Sequence, residues 1–158
     1  MKKPAETVTG VGCDKEQVKI TVQKLPDRPG IAGQLFTRLA DNNINVDLII
    51  QNVKYNDYND ITFTIKKDDL LKNNMILSRI TTELGTKNAE IDTTVAKVTV
   101  CGEEMVSTPG IAAKMFRILG EANINIQIIT TSEDRISCLI DERDANRAID
   151  TIKNKFSL

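Results

Sequence analysis

Histidine is absent from the 158-residue sequence, and with it the side chain that most often transfers protons near neutral pH and most often binds metal ions. Most hydrolase triads and zinc sites are thereby excluded, and no metal or cofactor is expected. Tryptophan is absent as well, and four Phe and two Tyr leave few platforms on which bases or sugars stack. The formal net charge is −1, so no surplus of positive charge is available to hold a phosphate backbone. The composition therefore argues against nucleic-acid binding.

Cysteine and long apolar segments are scarce too. Cys13, Cys101 and Cys138 are far apart and form no Cys-x-x-Cys pair, so neither a disulfide framework nor a metal knuckle is encoded. Each sits among small or apolar neighbours, which predicts buried, reduced thiols. No apolar run is long enough to span a membrane and no signal peptide follows Met1, so we expect a cytoplasmic protein that does not bind membranes.

What the sequence does contain is an internal repeat. Pro29–Ala32 (Pro-Gly-Ile-Ala) recurs as Pro109–Ala112, and the Asn-Ile-Asn motif that begins at Asn43 recurs at Asn123, both at a shift of 80 positions. The upstream segment 19–22 recurs at a shift of 78, so the second copy has a slightly longer loop before its Pro-Gly. The order and consistent spacing of these matches indicate two homologous modules in tandem.

Each module shows the same sequence of hydrophobic periodicities. In the first module they predict a strand at 18–22, a helix that begins at Pro29-Gly30, strands at 45–53 and 61–65, a helix from Asp68 to Gly85 and a weak strand at 89–93. In the second they predict a strand at 97–101, a helix at 110–121, strands near 125–131 and 135–140, and a helix from Ala145 to Phe156.

The order strand, helix, strand, strand, helix, strand is the split βαβ plan. We therefore predict an α+β fold of two tandem ferredoxin-like βαββαβ modules, each an antiparallel four-stranded sheet with two helices on one face. The second module lacks its sixth element. A strand-like segment at 7–14 is expected to return and complete that sheet, unless it is a disordered leader. The predicted domains are thus 15–94, and 95–158 together with the N-terminal strand at about 6–14.

The loop before the first helix has the features of an amino-acid receptor. It ends at a helix N-terminus whose first amides, at Gly30 to Ala32, have no intrahelical partner and suit a carboxylate. Gly30 and Ala32 carry little or no side chain, so a ligand can approach the backbone, and Asp27 could accept an ammonium group. The alternative is purely structural: Pro29-Gly30 starts a helix and Asp27 caps it.

Asparagines near the end of that helix leave a second alternative open. Asn43 with Asn45, and their copies Asn123 with Asn125, lie where the helix gives way to the next strand. Amide side chains at such a position either satisfy the backbone of the turn or hold a ligand. The sequence does not favour one interpretation over the other.

These motifs resemble those of one known family. Pro26–Ala32 (Pro-Asp-Arg-Pro-Gly-Ile-Ala), Asn45–Asn52 and Thr131–Ser137, set in tandem βαββαβ modules, are similar to the pair of ACT domains in aspartate kinases. The resemblance covers the chain from about Glu6 to Leu158. It implies an allosteric module that senses the end products threonine and lysine, for feedback inhibition of the pathway that begins with the phosphorylation of aspartate.

The resemblance also implies which residues hold the effector. In the first site the carboxylate and amine of the ligand would contact the first module, and the second module would close the pocket. Those residues are Asp27, Gly30, Ile31, Ala32 and Gln51, with Asn125 and Ile126 opposite. A pseudo-symmetric second site would use Ser107, Gly110, Ile111 and Ala112 with Asn45, Val46 and Asp47. Ser107 stands where the first site has an acid, so the second site has less negative charge for an ammonium group.

The kinase domain of that family is an implied partner. No residue here matches its nucleotide or aspartate motifs, so the chain alone is expected to have no catalytic activity. It would be either a cut-out regulatory region or a separate regulatory subunit. A homodimer through edge-to-edge pairing of ACT modules is expected as well, because a bare sheet edge invites strand pairing. The competing interpretations are an RNA-binding module, disfavoured by the lack of aromatics on the sheet, and a metabolic enzyme on the same fold.

Overall fold

A computed structural model of the chain describes residues 7–53, 56–86, 88–103, 105 and 107–158. These residues form two compact units. The first module is Glu16–Thr93, and the second is Thr94–Leu158 together with the segment that ends at Lys15. In sequence, the first module is therefore an insertion between the N-terminal segment and the rest of the second module.

The first module is one antiparallel sheet with helices packed on it. Strand β1 (Gly10–Asp14) precedes it in the chain. Its own elements are β2 (Gln17–Pro26), α1 (Ile31–Asp41), β3 (Val46–Val53), β4 (Tyr58–Lys66), α2 (Lys67–Lys72), α3 (Ile76–Glu83) and β5 (Ala89–Asp92). The four strands lie in the order β3-β4-β2-β5, and every neighbouring pair is antiparallel.

The second module repeats this plan. Its elements are β6 (Val95–Cys101), α4 (Ile111–Glu121), β7 (Ile128–Thr131), β8 (Arg135–Asp141), a 3-10 turn (Glu142–Asp144) and α5 (Ala145–Phe156). Its sheet has the order β1-β6-β8-β7 and is antiparallel throughout. The predicted fold class, two tandem ferredoxin-like modules, is confirmed.

The edge strand β1 comes from the other end of the chain. It pairs with β6 from Gly10 opposite Cys101 to Asp14 opposite Lys97. The order β1-β6-β8-β7 therefore corresponds to β5-β2-β4-β3 of the first module. The segment before the first module therefore supplies, in the second sheet, the edge strand that β5 supplies in the first.

Alternation along β2 decides which face of the first sheet the helices cover. Val18, Ile20 and Val22 are fully buried, and because side chains alternate between faces, the intervening Lys19 and Thr21 lie on the opposite face. Burying each aliphatic side chain contributes about 1.5–3 kcal/mol. The three valine and isoleucine side chains share one cluster with residues of α1 and α3, namely Ile31, Leu35, Leu39, Ile76, Leu77 and Ile80.

The single helix predicted from Asp68 to Gly85 is wrong. The structure has two helices, α2 and α3, separated at Asn73, whose amide N–H donates to Leu70 O at 3.2 Å. The Asn73 side chain donates to Asp69 O at 3.0 Å. It thus occupies the carbonyl to which a continuing helix would bind the backbone N–H of residue 73. Asparagine competes with helical hydrogen bonds in this way, and the apolar periodicity of the flanking residues does not reveal it.

Two glycines, one at the N-cap of α1 and one inside the helix, are expected to respond to alanine with opposite signs. Gly30 has φ 91°, so Gly30→Ala should destabilise the fold by about 1–2 kcal/mol, the cost of a left-handed L-residue. Gly33 is inside the helix, and a Cβ there would meet no described atom within 4 Å. Gly33→Ala should therefore stabilise by about 1 kcal/mol. Urea unfolding of both variants measures this, and equal signs would contradict the backbone assignment.

The cysteines differ in burial. Cys138 is buried, whereas Cys13 and Cys101 are only half-buried, and all three thiols are free. Burial raises the pKa of the Cys138 thiol to about 12 and also raises the pKa of Cys13.

Cys138 is expected to resist maleimide in the native protein at pH 8 and to react once guanidinium unfolds the chain. Only the thiolate attacks, and burial removes both the thiolate and the access to it. Mass spectrometry of labelled peptides measures the difference, with the half-buried Cys101 as internal comparison. Labelling of Cys138 as fast as Cys101 would contradict the packing of β8.

Candidate functional site

The Pro-Gly motif places the same uncapped helix start in both modules. Gly30 is the N-cap of α1 with φ 91° and ψ −10°, and Gly110 is the N-cap of α4 with φ 94° and ψ −4°. No described side chain caps either helix. The alternative that Asp27 caps the first helix is therefore wrong, and both helix N-termini remain open at an exposed glycine.

Backbone hydrogen bonds show which amides of α1 are engaged. Ile31 N donates to Arg28 O at 3.3 Å, and Gln34 N donates to Gly30 O at 2.9 Å. Between them, Ala32 and Gly33 occupy the first-turn positions for which a helix has no carbonyl of its own. The positive end of the helix dipole adds to their attraction for an anion. The Ile31 amide is thus less available than the sequence predicts, whereas the Ala32 and Gly33 amides face no carbonyl of the helix.

Asp27 is held before this helix start by strand β4 and by the residue that precedes it. Its backbone N–H donates to Asp57 O at 2.8 Å, and its carboxylate Oδ1 accepts from Asn59 Nδ2 at 2.7 Å. The side chain is otherwise exposed. The second carboxylate oxygen is therefore accessible to solvent or to a ligand. Sequence reasoning missed Asn59 because a residue 32 positions away in the chain gives no local signal.

A bulge at the end of β2 directs the chain toward this position. Pairing with β4 shifts by one residue between Val22 and Leu25, and the extra residue, Lys24, has φ 55°. Its backbone N–H donates to Oδ1 of the buried Asp60 at 3.0 Å. Bulges bend the strand that carries them, and this one lies just before the loop that carries Asp27.

The second module shows how the equivalent positions enclose a cavity. The first module also has a cavity, of about 290 Å³, but its lining does not include the start of α1. That cavity is lined by Gln23, Lys24, Tyr58, Gly85, Thr86 and Asn88. The cavity of about 270 Å³ in the second module lies at the start of α4 and is lined by Met105, Thr108, Gly110, Ile111, Ala112, Thr131, Ser132 and Ile136. Three predicted second-site residues are among its walls, whereas the exposed Ser107 is not. Thr131 and Ser132, which the sequence analysis did not choose, repeat Gln51 and Asn52 at the shift of 80.

The remaining predicted residues lie on or beside the edge strands. Gln51 is exposed on β3, opposite Ile61 of β4. Asn45, Val46 and Asp47 are at the start of β3. The strand has a bulge there, and the backbone N–H of Leu48 donates to Thr64 Oγ1 at 3.2 Å. Asn45 and Asp47 are exposed.

Asn125 and Ile126 lie in the second module, just before β7, with Asn125 exposed and Ile126 half-buried. The structure therefore brings Asp27, Gly30, Ile31 and Ala32 together within the first module. The closing of that site by Asn125 and Ile126 stays a prediction, as does the contribution of Asn45, Val46 and Asp47 to the second site.

Within the described ranges, no group of three His, Cys, Asp or Glu side chains lies close enough to hold a metal ion. The helices of that same part of the chain are all too short or too polar to cross a membrane.

Two family models match the chain, and both are described as the ACT domain. One covers residues 19–72, in the first module, and the other covers residues 98–156, in the second. The two matched ranges follow the two modules of the structure.

Solved structures match the chain over its length. A chain in the crystal structure of aspartokinase alpha and beta subunits is 42% identical, with a TM-score of 0.87 and a match over 96% of this chain and 99% of that one. The ligand-free regulatory subunit of aspartate kinase from Thermus thermophilus is 37% identical, with a TM-score of 0.88 over 95% and 99% of the two chains.

Whole enzymes match as well, but only in part. An aspartate kinase from Stutzerimonas stutzeri is 35% identical over 151 residues, which are 96% of this chain and 37% of the relative. The chain thus spans little more than a third of the length of the curated relatives it matches. Because it shares more than 30% identity with nearly the full length of a solved regulatory subunit, and because each of its modules matches the ACT domain, the chain belongs to the family of aspartate kinase regulatory regions.

Proposed function

We propose that this chain senses a free amino acid on behalf of aspartate kinase. The first module binds threonine or lysine, and binding inhibits the kinase that starts the synthesis of the aspartate family of amino acids. Membership of the regulatory family supports a regulatory role, and the geometry of the first module supports the chemistry of the ligand.

The observation that carries the proposal is a carboxylate held beside an open helix N-terminus. An α-amino acid carries an ammonium group and a carboxylate on one carbon atom. Asp27, fixed by Asn59, suits the ammonium group, and the amides at the start of α1 suit the carboxylate. Asp27 and Gly30 are both exposed, so the two receptors are open to the same ligand.

Threonine is the preferred effector of the first site. Among the first-site residues Asp27 is the only acid, and it is used for the α-ammonium group, so a lysine side chain would lack a second carboxylate. Gln51 and Asn125 are exposed amides that suit a small polar side chain. Lysine is therefore placed second.

A second effector site is proposed at the cavity before α4. Gly110, Ile111 and Ala112 supply the same helix start, and Thr108, Thr131 and Ser132 add hydroxyl groups to its wall. Its volume of about 270 Å³ is large enough for a small amino acid. With Ser107 in place of an acid, this site should bind an ammonium group more weakly than the first.

The proposal has two further parts. Asn125 and Ile126 close the first site, and the chain forms a homodimer through its edge strands. Strands β3 and β5 are the edges of the first sheet, and β1 and β7 are the edges of the second. Unpaired edges favour pairing with another sheet. Light scattering after size exclusion should give the mass of a dimer, and a monomer mass with and without effector would contradict it.

Titration calorimetry against threonine, lysine, methionine and other free amino acids tests the binding function. Threonine should bind with the highest affinity, and threonine that has lost its α-ammonium group should not bind measurably. Absence of heat with every amino acid would refute the proposal.

The regulatory function needs a kinase assay. The chain alone is expected to show no turnover with aspartate and ATP. The catalytic domain of an aspartate kinase, assembled with this chain, should lose activity when threonine is added. Turnover by the chain alone would favour an enzyme on this fold instead.

A further inference from the structure

Asn59 is a polar residue at a core-facing position of β4. It lies directly opposite Leu25 of β2, and residues that face each other across two strands project to the same side of the sheet. Leu25 is part of the hydrophobic core of the first module. Asn59 is likewise 0% exposed, although an apolar residue would satisfy this position at lower cost.

The hydrogen bonds of Asn59 are incomplete. Its Nδ2 donates to Asp27 Oδ1 at 2.7 Å, and only the nitrogen can face that carboxylate, since an oxygen there would repel it. Its own Oδ1 is enclosed and finds no partner among the described residues. A buried acceptor without a donor is destabilising. Asp27 does not need the contact, because its carboxylate is exposed and water can solvate it. Stability therefore does not explain the amide.

Orientation of Asp27 does explain it. The backbone N–H of Asp27 is tied to Asp57 O at 2.8 Å, and the Asn59 amide ties one carboxylate oxygen. With both ends held, the second oxygen has a fixed direction before any ligand arrives. Ordering a side chain in advance removes part of the entropy cost of binding.

We propose that Asn59 is a positioning residue of the effector site: by holding Oδ1 of Asp27, it aims the other carboxylate oxygen at the ammonium group of the amino acid. This inference rests on the proposed function, because it acts only through Asp27.

Asn59→Val separates orientation from stability. Valine suits a buried strand and removes the unpaired oxygen, so the melting temperature should stay the same or rise. The affinity for L-threonine should fall about 3-fold to 10-fold, as expected for the cost of ordering one side chain. Thr81→Val is the control, since Thr81 is also buried in the first module but bonds to Ser78 O in α3. It should leave affinity unchanged. Asn59→Ala should show the same loss of affinity even where poorer packing lowers its melting temperature.

A double-mutant cycle with Asp27→Ala decides whether Asn59 acts through Asp27. In the Asp27→Ala background, Asn59→Val should have no further effect on threonine binding. A full additional loss there, or unchanged affinity of Asn59→Val alone while Asp27→Ala weakens binding, would overturn the positioning role and leave the proposed function standing. Unchanged affinity of Asp27→Ala would overturn the positioning role as well and remove Asp27 from the site, whereas a wild-type chain that binds no amino acid would overturn the proposed function itself.

Discussion

Replacing Asp27 by alanine is expected to weaken threonine binding about 10-fold to 150-fold while the fold survives. A hydrogen bond to a charged group is worth about 1.5–3 kcal/mol, and each 1.4 kcal/mol or so is tenfold in affinity. The fold should survive because the N-cap of α1 is Gly30 rather than Asp27. Water can also replace the exposed carboxylate at the amide of Asn59. Calorimetry and thermal unfolding of the same variant measure both quantities.

Two further variants isolate the charge of Asp27. Asp27→Asn keeps an oxygen that accepts from Asn59 Nδ2 and removes only the charge, so it should lose affinity like alanine with an unchanged melting temperature. Asp41→Asn removes one exposed acid from the C-terminal end of α1 and should leave affinity unchanged. A lowered melting temperature with unchanged affinity at Asp27 would remove it from the site and move the search for the ligand toward Asn125.

Replacing Gly102 by alanine is expected to have the largest effect on stability, a loss of about 3 kcal/mol or more. Its Cβ would lie 1.9 Å from Thr7 O and 2.9 Å from Thr7 C, far inside contact distance, and both are backbone atoms that cannot rotate away. Relief requires the N-terminal segment to move, and with it the buried Val8. Overpacking alone usually costs about 1–3 kcal/mol, and here a core side chain would be displaced in addition.

Urea unfolding of Gly102→Ala measures this loss. The matched control is Gly120→Ala in α4, where a Cβ would meet no described atom within 4 Å. The control should gain about 0.5–1 kcal/mol, because alanine has less conformational entropy to lose than glycine in a helix. Wild-type stability of Gly102→Ala would mean that the N-terminal segment does not pack on this glycine in solution.

Much of the architecture was readable from local sequence signals. The copies of Pro29–Ala32 and Asn43–Val46 marked two modules, and the alternation of Val18, Ile20 and Val22 marked a strand with one covered face. These signals work because strand and helix periodicities are set by the backbone itself. The break at Asn73 was missed because it depends on one side chain competing for helix carbonyls, against an apolar pattern that continues on both sides.

The candidate site was predictable only in part. Asp27 and the glycine that starts α1 stood out, since a short loop before a helix has a recognisable chemistry. Asn59 did not stand out, because the sequence around this strand residue does not indicate that its side chain contacts the loop that carries Asp27. Thr131 and Ser132 were visible as part of a motif, but their position on the wall of a cavity follows from the packing of β7 beside the start of α4.

The sequence by itself determined the number of modules, the order of the strands along the chain and the positions of the two Pro-Gly helix starts, because each of these follows from backbone preferences within a few neighbouring residues. Only the tertiary structure decided that Asn59 holds Asp27 and that α1 has no side-chain cap among the described residues. It also decided that position 102 must be glycine, because a Cβ there would overlap the backbone of Thr7. Those features are contacts between segments distant in the chain. Their geometry is set by how whole strands pair and pack, and no local pattern records it.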